Sequence, residues 1–80
     1  MIKNWLAKRK QAKYNKQHKR GFDYAACELL LKGSPETVTR LEQEADSGRA
    51  YTWGEDTGFD DGIDFAIACW NQRMEDARRT

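Results

Sequence analysis

Seven apolar residues in the last third of the chain limit its fold more than any other feature. Phe59, Ile63, Ala66, Ile67, Trp70, Met74 and Ala77 recur at intervals of three or four, the period of one helix face and not the alternation of a strand. Phe65, Ala68 and Cys69 add a second apolar flank. This helix is therefore expected to be buried over a broad arc and to sit in the centre of the fold. Asp60 or Asp61 is expected to cap its start, and Arg73, Arg78 and Arg79 fall where the negative end of the helix dipole favours cations.

The rest of the chain supplies partners for that helix. Tyr14, His18, Phe22, Ala25 or Ala26, and Leu29 form a second stripe, running to about Lys32. Gly21 lies inside it and is read as a point where another helix comes close, and Gly33 as the stop. Ser34-Pro35-Glu36-Thr37 has the makings of a helix start: a capping hydroxyl, a proline at the first position and an acid for the dipole. Val38, Leu41 and Ala45 give this second helix a thin apolar edge, with an end expected near Asp46-Ser47-Gly48 and a loop over 47–58. Tyr51 and Trp53 are expected to fold back from that loop over the core, the alternative being exposed anchors for a partner. The fold expected is all-α: a small three-helix bundle with an extended basic N-terminal helix and the third helix in the middle.

Eighty residues make one small domain, which buries only about 60% of its unfolded surface and gains from tight packing or a partner. Small residues let helices approach, and Gly21, Ala25, Ala66, Cys27 and Cys69 are the candidates. The two cysteines have no CxxC spacing and are read as small buried apolar groups of a reducing cytoplasm. Neither a membrane span nor a leader is expected, because no long apolar run occurs.

The net charge of +1 hides two opposite fields. Residues 1–20 hold Lys3, Lys8, Arg9, Lys10, Lys13, Lys16, Lys19 and Arg20 with no acid, whereas residues 21–80 set six bases against thirteen acids. The organisation expected is a single helical domain, with a basic arm over 1–20 and an acidic body over 21–80. Lys8, Arg9, Lys10, Lys13, Lys16, Lys19 and Arg20 are the candidates for binding phosphates or an acidic partner, the bland reading being a solvated face or an arm paired with the acids of its own chain or of a second copy. Trp5, Tyr14, Tyr51 and Trp53 are the candidate anchors, and Tyr14 or His18 would stack on a base. Opposite fields also favour self-association of two copies.

Little in the chain points to catalysis. His18 is the single histidine and is read as a surface residue at the edge of the core. With Cys27 and Cys69 it would give three scattered ligands, so no metal and no cofactor is expected. Glu55, Asp56, Asp60, Asp61 and Asp64 form an acidic cluster. Placing Gly62 at the sixth position of a calcium loop leaves Thr57, Phe59 and Ala68 where oxygen ligands belong, so that loop fails. The cluster is read as acids gathered at a helix start, or else as a patch that imitates nucleic acid. No Walker loop, GxGxxG, GxSxG or HExxH occurs, and an enzyme is not expected.

Tyr14, Gly21-Phe22-Asp23-Tyr24-Ala25-Ala26, Leu29-Leu30-Leu31-Lys32-Gly33, Ser34-Pro35-Glu36 and Phe59-Asp60-Asp61-Gly62-Ile63 before Ala66 and Trp70 together resemble small helical accessory proteins of tailed bacteriophages, over residues 14–70. The resemblance implies a viral protein in the host bacterial cytoplasm that binds a host enzyme or defence complex, such as a CRISPR-type assembly, and inhibits it. It brings no binding residues with it. The function expected is thus steric and electrostatic inhibition of a host macromolecular machine. The alternative is direct nucleic-acid binding through the basic arm. A sponge for a small anionic signal, formed between subunits, is a third reading.

Overall fold

The computed structural model describes residues 2–54 and 56–79; Glu55, one of the clustered acids, lies outside them. Three helices follow in chain order, α1 (Ile2–Leu31), α2 (Pro35–Tyr51) and α3 (Gly58–Arg79), and no strand occurs among the described residues. The all-α bundle expected from the apolar periods is the fold observed. α3 packs along both other helices, while α1 and α2 touch each other little, so the third helix is the central one.

Neighbours along the helices give their directions. The Tyr14 carbonyl and Gln17 abut Gly58, the His18 carbonyl abuts Gly62, the Phe22 and Phe65 rings meet at 5.7 Å, and Gly33 lies against Trp70. α1 and α3 therefore run side by side in the same direction, and α2 returns between their ends. The two are joined by small residues. A Cβ on Gly21 would overlap the Phe59 carbonyl oxygen, and one on Gly62 would overlap that of His18. Ala25 and Ala66 are buried in the same seam. Gly21 thus serves the close approach that its place in the stripe suggested. Gly58, Gly62 and Ala66, four residues apart, form the matching edge of α3.

The core beside that seam is small. Ala25, Leu29, Leu41, Ala45, Ile63, Ala66 and Ile67 are buried, with Phe22, Tyr24, Val38 and Trp70 packed around them. Three of those seven are alanine, so close helix packing carries much of what larger side chains supply elsewhere. α2 begins as its sequence predicts. Ser34 caps it, accepting the Thr37 N–H at 3.3 Å, with Pro35 in the first turn.

Several boundaries and burials differ from the sequence expectation. α2 does not stop near Gly48 but continues to Tyr51. Gly48 is a glycine of close approach: a Cβ there would overlap the Asp60 carboxylate. α1 does end at Leu31, just before Gly33 as its sequence suggested, but Gly33 does not take a left-handed conformation, and its absent side chain makes room for the Trp70 ring. Thr57, not Asp60 or Asp61, precedes the first turn of α3, its carbonyl accepting the Asp61 N–H at 2.7 Å. Phe65, Ala68 and Cys69 are exposed, so the buried arc of α3 is narrower than its second flank implied. Cys27 is exposed as well. Neither cysteine is buried in the seam, where glycine and alanine hold the close positions instead.

α1 is the longest element, and only part of it belongs to the bundle. The molecule measures 52 × 27 × 18 Å, its long axis set by helices that overlap only partly. Every residue from Asn4 to Lys16 is exposed, since α3 begins beside Tyr14 and Gln17. At the opposite end Asn71 to Arg79 are exposed along α3. The break in charge after Arg20 is therefore not a break in structure. The helix is continuous through it, and packing starts about one and a half turns earlier.

Candidate functional site

The basic segment is a helix that stands out from the bundle. Lys8, Arg9, Lys10, Lys13, Lys16, Lys19 and Arg20 are all exposed. Arg9, Lys13, Lys16 and Arg20 advance by four, three and four, which sets them along one face. Among the described residues, none of these cations lies in an ion pair with an acid. The described cations of the arm are thus not folded back onto the acids of their own chain but lie on a solvated face. Trp5, near the tip, is 59% exposed, and the Arg9 guanidinium sits 5.3 Å from its ring centre, a cation–π pair.

The acids are engaged elsewhere. Asp60 is buried against α2, while Asp61 and Asp64 are partly buried and both bind Arg49. Asp61 joins all three helices, accepting hydrogen bonds from Tyr14 (2.6 Å), Arg49 (2.8 Å) and Thr57 (3.1 Å). Burial pushes the Asp61 carboxyl up, but those three donors outweigh it and hold it below the usual carboxylate range. Its neighbour goes the other way: burial raises Asp60, against the pull of Arg49. The hydrogen bond to Asp61 in turn raises the Tyr14 hydroxyl. Asp60, Asp61 and Asp64 thus form an internal ion cluster and not an open acidic face, and of the described acids in that group only Asp56 is exposed. A second network, with Tyr24 donating to Glu44 at 2.8 Å and Arg40 to Glu28 at 2.7 Å and to Glu44 at 2.9 Å, ties α1 to α2.

The candidate anchors separate into two kinds. Tyr14 belongs to the fold through Asp61, and its ring lies 5.9 Å from His18, which lies 5.7 Å from Phe65. His18 is therefore a half-buried edge residue held between rings. Tyr51 and Trp53 do not fold back over the core but are 88% and 91% exposed. The core has no gap for them, because Gly48 brings α2 directly onto α3. Trp53 also has φ of 56°, beside Gly54 at 77°. A left-handed backbone is common for glycine after a helix but rare for a bulky residue.

No protein-family model matches this chain, and no curated protein or solved structure is significantly similar to it. The side chains alone must therefore indicate what the chain does. Among the described residues no group of three or more His, Cys, Asp or Glu is placed to hold a metal ion, and no helix is long and apolar enough to cross a membrane.

Two surface features were not legible in the sequence. One is an apolar strip between α1 and α3, where Leu30 is 69% and Phe65 54% exposed beside the partly buried Phe22 and Trp70. The other is an open notch of about 850 Å³ between the arm and the α2–α3 loop, lined by Ala7, Lys10, Gln11, Lys13, Tyr14, Asp56 and Thr57. It depends on a helix overhanging its neighbours, which no local pattern encodes.

Proposed function

We propose that this protein is a non-enzymatic binding protein that holds nucleic-acid phosphates with the projecting, basic part of α1. The observation that supports it is the exposed row of Arg9, Lys13, Lys16 and Arg20 with no acid paired to it among the described residues. Free cations at helical spacing release counterions when they meet a polyphosphate, and binding then weakens steeply with salt. A second reading is that of a phage-type accessory protein occluding a host machine that handles nucleic acid, such as a CRISPR-type complex. The apolar strip of Leu30, Phe65 and Trp70 favours that reading, since exposed apolar area of this kind often meets a protein.

One experiment separates the two: affinity capture from bacterial lysate at two salt concentrations, with and without nuclease. Nucleic acid that is recovered alone, and lost both after nuclease and after Lys13→Glu with Lys16→Glu, is the expected result. A nuclease-resistant protein complex that survives both reversals and is lost on Phe65→Ser would replace the first reading with the second.

A further inference from the structure

Trp53 is placed against the preference of its own backbone. It occupies the left-handed position just beyond α2, where glycine carries no steric cost, and its ring is 91% exposed. The fold gains little from such a residue: the ring covers no core, and the conformation is strained. Trp53 stands three residues before Asp56, so the loop keeps it within about 10 Å of the notch wall. Lys10 and Lys13 line the arm side of the same notch.

From this we infer that the notch is a binding site for single-stranded nucleic acid, its phosphates running along Lys10 and Lys13 and an unpaired base stacking on Trp53. The inference rests on the reading of α1 as a phosphate-binding helix and adds the strandedness of the ligand. A duplex keeps its base faces covered, so an exposed indole gains little from it, whereas every unpaired base offers a face on which to stack. Cations beside an exposed ring are the combination that single-strand sites use. Asp56, exposed on the loop side, repels phosphate and directs the backbone to the lysine side.

The test uses the full chain and fluorescein-labelled oligothymidine against a mixed-sequence duplex of equal length, measured by anisotropy across a salt series. Wild type is expected to prefer the single strand. Trp53→Gly suits the left-handed position, so its unfolding midpoint should be kept or raised, while its affinity for oligothymidine falls about fivefold or more. Its salt slope should not change. Lys10→Gln with Lys13→Gln should flatten that slope by about 0.7 for each phosphate that the lysines no longer neutralise. If Trp53→Gly binds oligothymidine as wild type does, or the duplex binds as tightly as the single strand, the single-strand site is refuted and the phosphate reading survives. If neither probe binds at low salt, both are refuted.

Discussion

The two parts of α1 share one helix and are stabilised in different ways. From Gly21 to Leu29 it lies against α3 with no side chain between the backbones at Gly21 and Gly62, and Ala25 and Leu29 are fully buried. From Asn4 to Lys13 it is exposed all round, with little beyond its own hydrogen bonds to keep it helical before Tyr14 meets Asp61, so its formation draws on continuity with the packed part. The difference shows how the roles divide. Tight packing of small residues fixes direction, and the free part is left to present charge.

The largest expected effect comes from filling the seam. Gly62→Ala places a methyl group where the His18 carbonyl already stands. Backbone must move, so the loss should reach about 3 kcal/mol or more in urea unfolding, a large share of what a domain this small possesses. A variant as stable as wild type would mean that the helices have slack, and the contrast between the two parts of α1 would fail.

A smaller effect is expected where the arm enters the bundle, at the two neighbouring aspartates. Asp61 is held below the ordinary value of 3.8. Its contribution is therefore present above that pH and is lost as the pH falls through its folded value. Asp60 is raised above 3.8. Its carboxyl favours the fold when protonated, and that contribution is lost as the pH rises through its folded value. At pH 7 Asp61→Asn should cost about 1 kcal/mol, allowing for its partial exposure, while Asp60→Asn should raise the unfolding midpoint. Both differences should shrink in thermal melts below pH 3. Shifts of the same sign for the two variants at pH 7 would contradict this account of the cluster.

The smallest effect belongs to the arm. Ala12→Gly should speed amide exchange around residues 8–16 by an amount corresponding to about 1 kcal/mol. It should leave the global unfolding midpoint unchanged, because Ala12 is exposed on a stretch that lies outside the core. A lowered midpoint would mean that the arm takes part in the cooperative unit.

The periodic parts of the fold were readable where one residue type serves one purpose. The stripe through Ile63, Ala66 and Ile67 and the start at Ser34-Pro35 needed no knowledge of the partner helix. The glycines were harder. Gly48 reads locally as a terminator, and its use at a close approach depends on Asp60, twelve residues away and on another helix. The acidic cluster had the same difficulty. Five acids near a helix start look like an open patch until Arg49 is placed among them. The basic arm was legible as charge and composition, but its overhang follows from where α3 begins. The same holds for the outward rings of Tyr51 and Trp53, which follow from the close seating of α2.

Because α1 has no break between tip and seam, the arm is a lever. From Tyr14 to its start it reaches about 18 Å beyond the bundle. A ligand drawing on its tip applies a turning moment about the place where Gly21 and Gly62 let backbone meet backbone, and where no rotamer can yield. Whatever the tip holds is thereby kept at a set angle to the body, and a displacement at one end is felt at the other.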